Sequence, residues 1–233
     1  MNGIDLSQHN IVTNWNEVAK NVDFVILRAG YGKEFSQIDK KFEEYYAECK
    51  KRKIPVGCYW YSYAKSKNEA EKEAEVFLKT IKGKQFEFPV YYDVEEYDIF
   101  KLGKKAVSEI IFTFCDTIEK AGYFTGLYSN PNFLHNVIND TVKSKFTLWL
   151  AHWNTNTPYC KYGIWQKSSK GKISGISGNV DINVCETDFK SQIKALGFNG
   201  FSKPETKPEI KPETEIKITA EINGKTYHGT LKE

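Results

Sequence analysis

Residues 88–96 read FPVYYDVEE, a short apolar and aromatic run that ends in three carboxylates, Asp93, Glu95 and Glu96. A run of this length and composition is a buried strand. Side chains alternate along a strand, so Asp93 and Glu95 share one face while Val94 and Glu96 take the other. The flanks are of a different kind. Stretches at about 68–81 and 104–121 are amphipathic and rich in lysine and glutamate, which marks the strand as one beat of a β-α rhythm.

The same rhythm extends to both sides. Strands are expected at Gly3 to Ser7, Phe24 to Gly30, Val56 to Tyr63, Phe88 to Val94 and Tyr123 to Tyr128, with helices at about 14–20, 38–52, 68–81 and 104–121 and a shorter one after Pro131. Ser66 or Asn68 can cap the third helix, and Ser129-Asn130-Pro131 opens the fifth. Past residue 140 the pattern changes. Phe146 to Ala151, Gly163 to Gln166 and Val180 to Val184 read as strands joined by turns, SKGKISGISG (169–178) among them, with no helical stretch long enough to cover them. The economical architecture is an α/β fold, an incomplete barrel of β-α units closed by helix-free strands.

A length of 233 residues accommodates one large α/β domain with an appendage, or two modest domains. From Lys203 the sequence KPETKPEIKPET, with prolines at 204, 208 and 212, cannot form a core and reads as an extended spacer. Beyond it, apolar alternation on both sides of Asn223-Gly224 predicts a hairpin. The organisation expected is therefore a barrel over 1–200, a linker over 201–215 and a hairpin over 216–233. An isolated hairpin is marginal in water, so this one is expected to pair with another copy, with the main domain or with a ligand.

Composition excludes several classes of function. A formal charge of +3 on 33 basic and 30 acidic side chains leaves no basic stripe for nucleic acid. No segment approaches the ~18 consecutive apolar residues of a membrane span. The opening MNGIDLS has no leader pattern, so a cytoplasmic, soluble chain with a separate exit route is expected. Cys49, Cys58, Cys115, Cys160 and Cys185 are an odd set without a C-x-x-C pair and read as free thiols filling the interior. His9 and His152 lack a partner at ligand spacing, so no metal site is expected.

Asp93 and Glu95 fall at a strand's C-terminal end, where barrels place their chemistry. Like charges held close raise one pKa, and burial among aromatics raises it further, leaving a protonated acid beside an ionised carboxylate. That is the state glycoside cleavage needs. A solvated or capping pair is the alternative for a D-x-E seen alone. Two further strand acids, Asp5 in GIDLSQHN and Asp181 in NVDINV, strengthen the first reading, because barrel closure makes the first and last strands neighbours.

These residues resemble glycoside hydrolase family 25, the Chalaropsis-type lysozymes found in bacteria and phage endolysins. The resemblance spans roughly residues 2–190 and rests on the order of GIDLSQHN, FVILRAGYG, VGCYWYSY, PVYYDVE, GLYSN, LWLAHW, IWQKSS and VDIN. It implies an irregular TIM-like barrel of five β-α units closed by three further strands, and hydrolysis of the β-1,4 bond between N-acetylmuramic acid and N-acetylglucosamine in bacterial peptidoglycan. It implies Glu95 as general acid, Asp93 as second carboxylate, Asp5 and Asp181 as further acids of the cleft, and neither metal nor cofactor. An endolysin of this kind would reach the wall after holin-type release.

The route stays open among a direct nucleophile, with carboxyl groups about 5 Å apart, an inverting pair at roughly 6.5–9.5 Å, and assistance by the substrate's N-acetyl group. The last is favoured, with Asp93 orienting that group, because both sugars carry it. Tyr61, with Tyr63 on the same face, is read either as a hydrogen bond near the reacting sugar or as core packing with a satisfied hydroxyl. Trp149, Trp153 and Tyr128 are candidates for a stacking wall, one tryptophan being expected in the core. Arg28 reads either as a rim group steadying a carboxylate or as a structural ion pair, and Gln166 as a further sugar contact. A catalytically inactive glycan-binding module would keep the cleft but be expected to lack Glu95 or Asp93. A chitinase-like barrel would carry D-x-x-D-x-D-x-E, which is absent.

Overall fold

The computed structural model describes residues 1–203 and 216–231. In chain order the barrel unit contains β1 (Asn2–Leu6), β2 (Ile11–Val12), α1 (Trp15–Asn21), β3 (Phe24–Tyr31), α2 (Phe42–Lys51), β4 (Val56–Tyr61), α3 (Lys67–Ile81), β5 (Val90–Asp93), α4 (Tyr97–Phe100), α5 (Gly103–Lys120) and β6 (Thr125–Ser129). It continues with α6 (Pro131–Asn136), α7 (Asp140–Lys145), β7 (Thr147–Ala151), β8 (Ile164–Gly171), β9 (Ile176–Ser177), β10 (Val180–Cys185) and α8 (Phe189–Leu196). Eight strands close in the order β1-β10-β8-β7-β6-β5-β4-β3. All neighbours are parallel except β10, which runs antiparallel to both β8 and β1. Five strand-helix units followed by three closing strands are thus what the chain forms, and the first and last barrel strands lie side by side.

Helix boundaries follow local chemistry. Ser66 caps α3 by accepting from the Glu69 amide, and Asn130 caps α6 ahead of Pro131. The buried side of α3 carries Ala70, Ala74, Phe77 and Ile81, and that of α5 carries Val107, Ile111, Phe114 and Ile118, the spacing of one apolar stripe on each. These stripes cover the outer wall of the barrel. Inside it a second cluster gathers Phe24, Ile26, Phe88, Tyr91, Tyr128, Trp149 and Ile164. Gly126 makes room there, since a Cβ on it would lie 2.5 Å from the Tyr91 ring.

Several features differ from the sequence expectation. Two short helices occur past residue 140: α7, capped by Asn139, and α8, capped by Asp188 and ended by Gly197 in the left-handed region. Helix α8 puts Phe189 and Ile193 into the inner cluster beside Phe24 and Phe88, so it plugs the N-terminal end of the barrel. The glycine-rich stretch expected as a turn supplies the end of β8 and all of β9, which pairs with β2. Four cysteines are buried as expected, whereas Cys160 is exposed.

The chain divides into two units, Met1–Lys203 and Pro204–Glu233. Phe198 and Phe201 pack against the inner cluster, so residue 201 belongs to the barrel rather than to a spacer. Residues 202 and 203 fall in the first unit as well, and 204–215 of the expected linker lie outside the described residues. In the second unit β11 (Ile216–Ile222) pairs antiparallel with β12 (Lys225–Leu231) around Asn223 and Gly224, both at positive φ. No helix among the described residues is long and apolar enough to cross a membrane.

Candidate active site

The closed barrel turns inward-facing positions of its strands into one mouth at the C-terminal ends of the parallel strands. Asp5 on β1 stands opposite Asp181 on β10, and Tyr61, Asp93, Tyr128 and Trp149 follow one another in register across β4 to β7. The four acids expected from three separate strand ends are brought together here, as their mutual influence shows. The Glu95 and Asp5 charges both raise Asp93, and the Asp181 charge raises both Asp5 and Glu95.

Burial is the largest influence on each acid. It holds Asp93 and Asp5 well above the usual carboxylate range, the neighbouring charge adding to the effect. Asp181 is raised too, by burial, with its hydrogen bond to Asp5 acting in the opposite direction. Glu95 is pushed up to about 7 by burial, then by Glu96 and Asp181. A carboxylic acid that keeps its proton at neutrality can donate it, so the array has acid-base capacity.

Two side chains hold Asp5. Gln166 Nε2 and Asn183 Nδ2 donate to its Oδ2 at 3.0 and 2.8 Å. Gln166 is itself buried, and its Oε1 accepts from Tyr128 Oη and Trp153 Nε1, both at 3.0 Å. Of the two tryptophans, Trp149 is the core one at 1% exposure, its indole N–H donating to Asn183 Oδ1, whereas Trp153 is 44% exposed. Tyr128 is buried, edge-on to Trp149 with ring centroids 4.6 Å apart. Of the three candidate rings of the stacking wall, Trp153 alone has an open face.

On the opposite rim Tyr61 Oη donates to Glu96 Oε1 at 2.8 Å, and the Tyr61 and Tyr63 rings lie 5.2 Å apart. The alternation expected along residues 93–96 therefore stops short. The strand ends at Asp93, and Glu96 comes round to the side of the acids instead of pointing away. Arg28 makes an ion pair, its Nε donating to buried Asp39 Oδ2 at 2.7 Å, and it also lowers Asp93 against the stronger influence of burial.

Asp39, Glu96 and Asn183 were not singled out from the sequence. Asn183 carries the clearest signal, because it lies two residues from Asp181 on the same strand and so shares its inward face. Among the described residues no group of three or more histidine, cysteine or carboxylate side chains is arranged to hold a metal ion.

Comparison with known proteins gives this geometry its relatives. The matching family model is that of the glycosyl hydrolases family 25, over residues 4–176. An autolytic lysozyme of Clostridium acetobutylicum is 29% identical over 188 residues, 78% of this chain but 55% of its own length, so the chain spans about half of that relative. Among solved structures, the CTP1L endolysin superposes with a TM-score of 0.73 at 25% identity, over 83% of this chain and 69% of that one. The modular autolysin LytC of Streptococcus pneumoniae, solved with a synthetic peptidoglycan ligand, superposes with a TM-score of 0.70 at 28% identity, over 78% of this chain and 46% of that one. With the match running over most of the barrel, the chain belongs to the glycosyl hydrolases family 25.

Proposed function

We propose that the chain is a lysozyme that cleaves the β-1,4 bond between N-acetylmuramic acid and N-acetylglucosamine in bacterial peptidoglycan. Glu95 is the general acid, and the observation that carries the reading is its carboxyl, held protonated up to about 7 within a mouth of four acids. Protonation of the glycosidic oxygen lets the leaving sugar depart while positive charge develops at the anomeric carbon. Asp93 Oδ1 is buried and has no hydrogen-bond partner. That unpaired acceptor supports a role in orienting the N–H of the substrate's N-acetyl group, whose carbonyl oxygen then attacks the anomeric carbon. Asp5 and Asp181 line the same mouth, and Trp153, Tyr61 and Tyr63 offer aromatic surface to the sugars. Peptidoglycan as substrate is supported by the likeness to an autolytic lysozyme and to an autolysin solved with a peptidoglycan ligand.

Glu95→Gln tests the assignment, because the amide keeps the shape but cannot give up a proton. Reducing ends released from purified walls are expected to fall by at least 100-fold, the scale of general-acid catalysis, with the circular dichroism unchanged. Release at the parental rate overturns the assignment. For the second unit we propose a role in wall binding or self-association. Its strand register puts Ile218, Ala220, Ile222 and Tyr227 on one face, and Ile218, Ile222 and Tyr227 are all exposed.

A further inference from the structure

Beside the acids, Gln8, His9, Arg28, Tyr31, Tyr61 and Tyr63 line a hollow of about 280 Å³. Tyr61 joins it to the acids through its bond to Glu96. Arg28 is its unusual member. Asp39 Oδ2 fixes the guanidinium by Nε, and Asp39 is in turn held by the amides of Gln8 and Lys41. The Tyr31 ring lies 5.7 Å from Arg28 Cζ. Yet Arg28 Nη2 is buried with no hydrogen-bond partner. An unpaired donor on a buried cation is costly, and because Arg28 itself lines the hollow, an acceptor entering there can meet its guanidinium. The planar fork of an arginine suits a carboxylate.

We infer that this hollow is an acid-reading subsite: Arg28 recognises the carboxyl oxygen of the side chain that an acidic amino sugar carries, next to the bond that is cut. The inference rests on the lysozyme reading for the position of the sugar and deepens it. It assigns discrimination between the two alternating sugars of the glycan to one cation. In peptidoglycan the group is the lactyl carboxyl of N-acetylmuramic acid, as a free carboxylate in strands stripped of peptide and as an amide carbonyl where a peptide is attached. The free carboxylate binds more tightly, since it alone carries full charge to the guanidinium.

The test compares two glycan strands: one freed of peptides by an amidase, with its lactyl carboxylates exposed, and the same strand after coupling of those carboxylates to methylamine. Binding is measured on the full chain carrying Glu95→Gln, so that the strands stay whole. The anionic strand is expected to bind about tenfold more tightly, a preference that shrinks with added salt, and Arg28→Gln on the same background should bring the two affinities within about twofold. Where Arg28→Gln does not fold, Arg28→Lys serves. It keeps a cation against Asp39 without the fork and is expected to lose at least half of the preference on a logarithmic scale. Equal affinity of the unmodified-Arg28 chain for both strands overturns the inference, and so does a preference that survives either substitution intact. Cleavage by the chain with Glu95 is scored separately: strands bound with the expected preference but never cut would defeat the lysozyme reading and leave the subsite standing.

Discussion

Asp5 and Asp181 face each other across the antiparallel seam between β1 and β10, each the register partner of the other. Two carboxylates so placed cannot both ionise cheaply. Burial and the Asp181 charge raise Asp5 well above the usual carboxylate range, which favours one proton held between the two acids, while Gln166 and Asn183 donate to Asp5 Oδ2. Asparagine can imitate a protonated aspartate, accepting from the same two donors and offering its own N–H to Asp181. Asp5→Asn should therefore unfold in urea within about 1 kcal/mol of the parent at pH 6. Asp5→Ala leaves two buried donors unpaired and should lose about 2–4 kcal/mol. Equal losses for the two variants would contradict the shared proton.

The two tryptophans of LWLAHW separate stability from binding. Trp149 is enclosed by the barrel and bonded to Asn183, so Trp149→Phe should cost about 1–3 kcal/mol of stability through a lost hydrogen bond and a small void, with KM on wall fragments unchanged. Trp153 projects from the rim, so Trp153→Ala should leave stability within about 0.5 kcal/mol and raise KM several-fold. A KM effect in the first variant, or none in the second, would reverse the two roles.

Most of the barrel was legible because a β-α rhythm is a local signal: strands of four to eight residues and one-sided helices declare themselves without knowledge of their partners. The convergence of Asp5 and Asp181 followed from closure alone. What escaped depended on contacts distant in sequence. Asp39 is recognisable only once Arg28 lies against it, and Glu96 meets Tyr61 from beyond the end of β5 at Asp93. Helix α8 has a capping aspartate and a closing glycine, but its plug into the barrel floor has no signature of its own, since apolar residues on a short helix can pack against anything.

With Glu95 as the proposed general acid, the pH dependence of catalysis follows from its carboxyl. A general acid must be protonated, so kcat/KM should decline as pH rises through about 7. After burial, Glu96 contributes most to that value. Glu96→Gln keeps an acceptor for Tyr61 but removes the charge, and should move the alkaline limb of the profile to lower pH by a fraction of a unit. A limb that stays in place would mean another group sets it.

Stability should respond to pH through a carboxyl that the proposed chemistry leaves untouched. Glu73, on α3 and 1% exposed, accepts from Tyr92 Oη at 2.6 Å and from the Tyr63 amide at 2.9 Å, and burial raises it from 4.5 to about 7. The folded chain thus holds a proton there that the unfolded chain has already released between those values. Its contribution to stability is fully present below about 4.5, decreases as pH rises, and is gone above about 7, at about 1.4 kcal/mol per unit and ~3 kcal/mol in all. Glu73→Gln removes this titration while its amide still meets the Tyr63 N–H and the Tyr92 hydroxyl. Urea denaturation at half-unit steps from pH 4.5 to 7.5 should show the parent losing stability more steeply than the variant. If the two curves run parallel, the proton on Glu73 is not taken up on folding.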